Sequence, residues 1–120
     1  MILDGIAKKA LLFDFYGELL TENQKEVYGE HIQNDLSVSE IAQLRGISRQ
    51  GVHDMIRRCE KILVDYEERL HLVEHFLTVK KMVGVIHRYA EEISDCGDRE
   101  EISGRIEDIK RISSEILEQY

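Results

Sequence analysis

The residues best suited to chemistry lie between positions 45 and 61, where five basic and two acidic side chains occur in a chain of net charge −8. Arginine matches the hydrogen-bonding edge of guanine and glutamine matches that of adenine, whereas further basic side chains suit phosphates. Cations gathered in an otherwise acidic chain favour a local contact, so this segment predicts nucleic-acid binding. The predicted contact residues are Arg45, Ser48, Arg49, Gln50, His53, Arg57, Arg58 and Lys61.

A second chemical pattern runs from His71 to His75 and has the H-x-x-E-H spacing of some zinc peptidases. On a continuous helix the two histidines would share one face. We interpret them as part of a solvated helix face, because only 45 residues follow the pattern and no large cleft is expected. Phosphate-binding and nucleophile motifs are also absent, so the sequence predicts a protein that is not an enzyme and has no metal or cofactor.

The basic segment falls within a spacing typical of a helix-turn-helix. Ala42 allows two helices to approach closely, Gly46 suits the left-handed turn, and Val52 anchors the second helix in the core. Further core positions are predicted at Ile41, Leu44, Ile47 and Ile56. This geometry directs the start of the second helix into a major groove. Base contacts are then predicted for Arg49, Gln50, His53 and Arg57, with Arg45, Arg58 and Lys61 on phosphates.

Helical periodicity dominates the remaining chain, and the sequence contains no proline. The patterns predict helices over about 6–20, 22–33, 38–45 and 99–119, and capping boxes are expected at Thr21 and Ser37. Ser48 is predicted to cap a fourth, much longer helix. Bends are expected at Gly84 and at residues 95–98. The fold class is therefore predicted to be all-α.

The long helix suggests a second copy of the chain. Apolar residues recur at alternating spacings of four and three from Val52 to Leu77, without an intervening glycine or proline. A continuous helix over residues 52–82 would be ~47 Å long and would overhang a compact domain with a radius of gyration of ~14 Å. We therefore expect a homodimer, although a break near His71 would remove this argument.

Composition defines the class of molecule. The length of 120 residues supports one hydrophobic core, which predicts a helix-turn-helix head over 1–70 and a helical extension over 71–120 as one compact unit. No apolar run reaches the ~20 residues of a membrane span. The two cysteines, Cys59 and Cys96, lack a paired spacing and fit a reducing compartment, so a cytoplasmic location is expected.

Three segments carry a resemblance to a known family. Residues 20–63 resemble region 4 of bacterial sigma factors, the helix-turn-helix that reads promoter elements. More closely, LLFDFYGELLT (11–21), SRQGVHDMIRRCEKIL (48–63) and YEERLHL (66–72) resemble the YlxM family. These are small bacterial proteins with a sigma-region-4-like head, encoded beside genes of the signal recognition particle. The resemblance implies an all-helical, dimeric protein that regulates this protein-targeting pathway, with Arg49, Gln50, His53 and Arg57 as reading residues.

Two functions follow as hypotheses. In the first, the protein is a DNA-binding helix-turn-helix regulator associated with the signal recognition particle pathway. In the second, it is an accessory protein that binds the particle's RNA or its GTPase and does not read DNA. The acidic body and Gly51 within the reading surface favour the second, because glycine offers no side chain and destabilises a helix by ~1 kcal/mol relative to alanine.

Overall fold

The computed structural model describes residues 5–95 and 97–119, and Cys96 lies outside them. These residues form six α-helices and no strand, as the sequence predicts. The helices are α1 (Gly5–Tyr16), α2 (Glu22–Ile32), α3 (Val38–Arg45), α4 (Arg49–Leu70), α5 (Leu72–Asp95) and α6 (Arg99–Gln119). The backbone divides into two compact units, Met1–Val73 and Glu74–Tyr120. No helix of the described residues is long and apolar enough to cross a membrane.

The first unit is built around α4. Helices α1, α2 and α3 all pack against it. Its core consists of apolar residues with little or no exposed surface, contributed by every helix of the unit. They are Leu12, Phe13, Tyr16, Leu20, Val27, Tyr28, Ile41, Ala42, Val52, Ile56, Cys59, Leu63 and Val73.

Helix α1 ends earlier than the predicted residue 20 and continues as a short 3-10 helix, Gly17–Leu19. The change occurs where the Phe13 ring folds back against the backbone of Gly17. A Cβ at position 17 would lie only 3.0 Å from that ring, so the Phe13 ring would have to shift to accommodate any other residue there. The tighter turn then closes with the Leu20 N–H donating to the Gly17 carbonyl at 3.1 Å.

Both predicted capping boxes are present. The Thr21 hydroxyl accepts the Gln24 N–H at 3.2 Å, and the Gln24 side chain accepts the Thr21 N–H at 3.1 Å. Ser37 and Glu40 make the same pair of bonds at the start of α3. These reciprocal bonds satisfy backbone donors that have no partner within the helix, so they fix where α2 and α3 begin.

The helix is not continuous over 52–82, and the break near His71 that the sequence left open is present. His71 adopts the left-handed conformation with φ 56° and separates α4 from α5. The Glu67 carboxylate accepts both the Tyr16 hydroxyl at 2.6 Å and the Val73 N–H at 3.0 Å. The Tyr16 hydroxyl also accepts the Leu72 N–H at 3.1 Å. Partners from α1 and α4 thus satisfy the first amides of α5. The argument for a second copy that depended on one continuous helix therefore no longer applies.

The second unit is a helical hairpin of α5 and α6. The Arg105 guanidinium of α6 pairs with Glu92 of α5 at 2.8 Å and lies 4.9 Å from the centre of the Tyr89 ring. Ile112 is its most buried apolar residue. The predicted bend at Gly84 is wrong, because α5 passes through that position without interruption. The chain leaves α5 at Asp95, within the predicted turn at 95–98.

Candidate nucleic-acid interface

The turn between α3 and α4 has the predicted helix-turn-helix geometry. Gly46 has φ 67°, in the left-handed region that favours glycine. The amides of Gly46 and Ile47 both donate to the Ala42 carbonyl, the second at 3.1 Å. The Ser48 hydroxyl then caps α4 by accepting the Gly51 N–H at 3.0 Å. The turn therefore fixes the direction in which α4 leaves α3.

The core prediction for this motif is right at some positions and wrong at two. Ile41, Ala42, Val52 and Ile56 are buried, whereas Leu44 is 67% exposed and Ile47 is 42% exposed. Leu44 follows Ala42 by two residues, which places it about 200° around α3 from the side chain that packs against α4. Ile47 lies in the connection between α3 and α4, so helical periodicity does not determine whether its side chain faces the core.

The face of α4 that is turned away from the core carries the other predicted contact residues. Arg49, Arg57, Arg58 and Lys61 are exposed, and the described part of the chain provides none of them with an ion-pair partner. The remaining three, Ser48, Gln50 and His53, are also exposed. The structure thus brings seven of the eight residues together at the N-cap and along the first 13 residues of one helix.

The two acids of this segment are both engaged by other side chains. Glu60 pairs with Lys9 of α1 at 3.0 Å and accepts the Tyr28 hydroxyl at 3.2 Å, so its charge is neutralised on the flank facing α1 and α2. The Asp54 carboxylate accepts the Gln50 amide N–H at 3.0 Å. Because Glu60 is paired, the exposed face of α4 is more positive than the composition of the segment indicates.

Arg45 is the exception among the predicted contacts. Its guanidinium donates to both carboxylate oxygens of Glu30, at 3.1 and 2.5 Å, and to Glu26 at 3.2 Å. The hydrogen bond to Glu30 is the largest influence that raises the pKa of Arg45. These contacts tie α3 to α2. Arg45 is therefore occupied within the protein, and we no longer assign it to phosphates.

The first turn of α4 carries a basic residue in place of an acid. Glutamates stand in the first turns of α2, α3, α5 and α6, where they interact favourably with the positive end of the helix dipole. The first turn of α4, like that of α1, contains no acid, and it begins with Arg49. This arrangement is unfavourable for the isolated helix but suits an external anion such as a phosphate.

A wide groove of about 550 Å³ lies beside α1 and α2. Phe13 lines it together with five carboxylates, which belong to Asp14, Glu18, Glu22, Glu26 and Glu30. Lys25 and Arg45 also line the groove, but both form ion pairs with these acids. The excess of carboxylates makes this surface unfavourable for phosphates, in contrast to the exposed face of α4.

The H-x-x-E-H pattern does not lie on one continuous helix, and Cys59 is a buried thiol. His71 terminates α4 in a left-handed conformation, so the continuous helix that would align it with His75 is broken. Burial raises the pKa of the Cys59 thiol to about 11, which keeps it protonated at neutral pH.

Sequence reasoning missed both pairings of the acids on α4. The Gln50–Asp54 contact has the i, i+4 spacing of helix neighbours and could have been found from the sequence. The Lys9–Glu60 pair joins residues 51 positions apart and depends on how α1 packs against α4. No local signal identifies such a contact.

Comparison with known proteins gives a consistent result. A family model described as "Putative helix-turn-helix protein, YlxM / p13 like" (UPF0122) matches residues 3–105. A UPF0122 protein of Clostridium novyi is 38% identical over 103 residues, covering 86% of this chain and 90% of the relative. Another from Thermoanaerobacter is 40% identical over 113 residues, or 94% and 97% of the two chains. One from Acetivibrio thermocellus is 40% identical over 119 residues and covers 97% of each.

Proposed function

Because the chain belongs to the UPF0122 family of YlxM/p13-like helix-turn-helix proteins, we propose that it is a non-enzymatic protein that binds duplex DNA through α4. The observation that carries this proposal is the exposed cationic face of α4. Four basic side chains without ion-pair partners among the described residues lie on one helix of a chain with net charge −8. Exposed cations without an ion-pair partner attract a polyanion locally, even on an acidic protein.

The proposed contacts divide by chemistry. The first half of α4 enters a major groove, where Arg49, Gln50, His53 and Arg57 reach base edges. Ser48, Arg58 and Lys61 contact phosphates and set the register of the helix on the duplex. The Ser48 hydroxyl suits this role because it accepts a bond from Gly51 and still has its own proton to donate.

We further propose that this binding serves regulation in the cytoplasm, in the signal recognition particle pathway. The proposal rests on the likeness to the YlxM family, whose members are encoded beside genes of that particle. Regulation through DNA requires sequence preference as well as affinity. The mixture of arginine and glutamine on the proposed reading face is suited to such a preference.

A second candidate is an accessory factor that binds the particle's RNA or its GTPase. The acidic groove beside α1 and α2 favours it, because such a surface suits a basic protein partner rather than a nucleic acid. RNA binding by the same α4 face would depend on shape and phosphates, since the major groove of an RNA helix is too narrow to read.

The experiment that separates these candidates uses the purified full-length chain. Its binding to a random duplex DNA library and to folded signal recognition particle RNA is measured at 50 and 200 mM salt, and bound DNA is sequenced after repeated selection. We expect enrichment of a defined duplex sequence that persists at the higher salt. Preference for the folded RNA, with no enriched duplex, would replace the first function by the second.

An Arg49→Ala variant tests the assignment of base contacts. If Arg49 pairs with a guanine, the variant loses ~1–3 kcal/mol on the selected site and relaxes the preference at one position. An equal loss on every duplex would instead make Arg49 a phosphate contact.

A further inference from the structure

Asp54 is the acidic residue on the proposed reading face of α4, and its hydrogen bond to Gln50 indicates a specific role. Resting on the proposed DNA-binding function, we propose that Asp54 is a positioning residue that orients the Gln50 amide for adenine. Asp54 does not itself contact the base in this arrangement. It acts through its hydrogen bond to Gln50, which fixes the orientation of the Gln50 amide and so determines the base that Gln50 recognises.

The first argument is that Asp54 forms a hydrogen bond with Gln50 rather than an ion pair with a neighbouring arginine. Its carboxylate accepts the Gln50 Nε2–H at 3.0 Å across one helical turn. Arg57 and Arg58 stand three and four residues further along the same helix, at spacings where an aspartate commonly forms ion pairs. Asp54 forms no ion pair with either among the described residues, so both arginines stay available to DNA.

The second argument concerns the two ends of the amide. With Nε2 beside the carboxylate, the opposite rotamer would place the Gln50 carbonyl oxygen against the negative charge of Asp54. That rotamer is repelled, so Asp54 selects one of the two amide orientations. A glutamine side chain without such a neighbour would exchange between them.

The selected orientation matches adenine. Nε2 carries two hydrogens, of which Asp54 accepts one, leaving one to donate to adenine N7. The Gln50 carbonyl oxygen remains free to accept from adenine N6, which completes the two-bond pairing of glutamine with adenine. Guanine presents acceptors at both of these positions, so the fixed carbonyl oxygen would oppose guanine O6.

The experiment measures base preference at the position that Gln50 contacts, on the duplex selected by the wild-type chain. A bidentate pair corresponds to a preference of about 5- to 140-fold for adenine. Four variants are compared with the wild type: Asp54→Asn, Asp54→Ala, Gln50→Ala and the double variant Gln50→Ala/Asp54→Ala. Thermal unfolding of each variant is measured as a control, to establish that the substitution leaves the fold intact.

We expect Asp54→Asn to weaken the adenine preference, because its amide can donate to the Gln50 carbonyl oxygen as well as accept from Gln50 Nε2, so that neither orientation is selected. Asp54→Ala should lose most of it. Both substitutions remove one negative charge and should strengthen binding to every duplex by a similar factor, which falls with salt. In the Gln50→Ala background, Asp54→Ala should produce only this uniform gain.

Two results would overturn the inference while leaving the proposed function intact. One is an adenine preference that survives Asp54→Ala unchanged. The other is a change in base preference when Asp54 is replaced in the Gln50→Ala background, because Asp54 would then act on the base without Gln50. Failure of the wild-type chain to bind any duplex would overturn the proposed function and this inference together.

Discussion

Arginine side chains close together in the sequence serve two different purposes in this protein. Arg45 is partly buried and holds Glu30 and Glu26 of α2, whereas Arg58 is exposed and has no ion-pair partner among the described residues. The sequence alone predicted phosphate contacts for both. Local charge could not distinguish them, because the acids that occupy Arg45 lie 15 and 19 residues earlier in the chain.

Replacing Arg45 by glutamine should therefore reduce stability. The substitution removes a two-bond pair and leaves Glu30, whose side chain is only 16% exposed, without its cation. We expect the free energy of unfolding to fall by about 1–3 kcal/mol in urea denaturation. Arg58→Gln is the matched control and should change it by less than about 0.5 kcal/mol. Equal effects of the two substitutions would show that the contacts of Arg45 contribute little.

Cys59 gives a prediction about reactivity and pH. Burial, and secondarily the nearby charge of Glu60, raises the pKa of its thiol from 9.0 to about 11. In a Cys96→Ser variant, the remaining thiol should resist iodoacetamide at pH 8 until denaturant is added. The folded state binds the thiol proton more tightly, so its stabilising effect is complete below pH 9 and is lost as the pH rises toward 11. Rapid alkylation of the folded variant at pH 8 would contradict this account.

The helix boundaries show which structural features could be predicted from residues that are close together in the sequence. The bounds of α3 and the starts of α2 and α4 were predicted correctly, because Thr21, Ser37 and Ser48 make capping bonds with residues only three positions away. The sequence favoured a bend at Gly84 and left the break near His71 open. This break is stabilised by the Tyr16 hydroxyl, which comes from α1 and lies 51 residues before Glu67. Periodicity continues through this break, so the apolar pattern gives no sign of it.

Two glycine-to-alanine substitutions should change stability in opposite directions, because one glycine lies in a turn and the other lies within a helix. Gly46 has φ 67° and its added Cβ would meet no atom within 4 Å, so Gly46→Ala should cost about 1–2 kcal/mol from backbone strain alone. Gly84 lies within α5 with equally open space, so Gly84→Ala should stabilise by about 0.5–1 kcal/mol. Thermal denaturation measures both changes. Stabilisation by Gly46→Ala would contradict the left-handed turn on which the helix-turn-helix depends.

Charge is distributed unevenly over the molecule as a whole. The net charge of −8 predicted only a local contact with nucleic acid, and seven of the eight predicted contact residues are exposed on α4 and at its N-cap. The acidic groove beside α1 and α2 was not predicted, because its five carboxylates come from two helices and a turn that meet only in the fold. The oligomeric state stays a prediction, since the long helix that first suggested it is divided.

Exposed apolar residues still favour a homodimer. Ile106 is 44% exposed and Leu117 is 83% exposed, and their spacing places them about 20° apart on α6. We expect light scattering of the full-length chain to give twice the chain mass of 14.0 kDa. An Ile106→Glu/Leu117→Glu variant should shift this mass toward the monomer, because it places charges on the proposed contact. A monomeric wild-type chain would remove the dimer from the account.

The salt dependence of duplex binding tests the central claim most directly. Replacing Arg58 and Lys61 by glutamine should lower the slope of log Kd against log salt by about 2, since each lost phosphate contact removes about one released counterion. The control, Lys81→Gln/Lys110→Gln, makes the same charge change at exposed positions of the second unit and should leave the slope unchanged. If the two double variants change the slope equally, or if neither does, then α4 is not the surface that binds DNA.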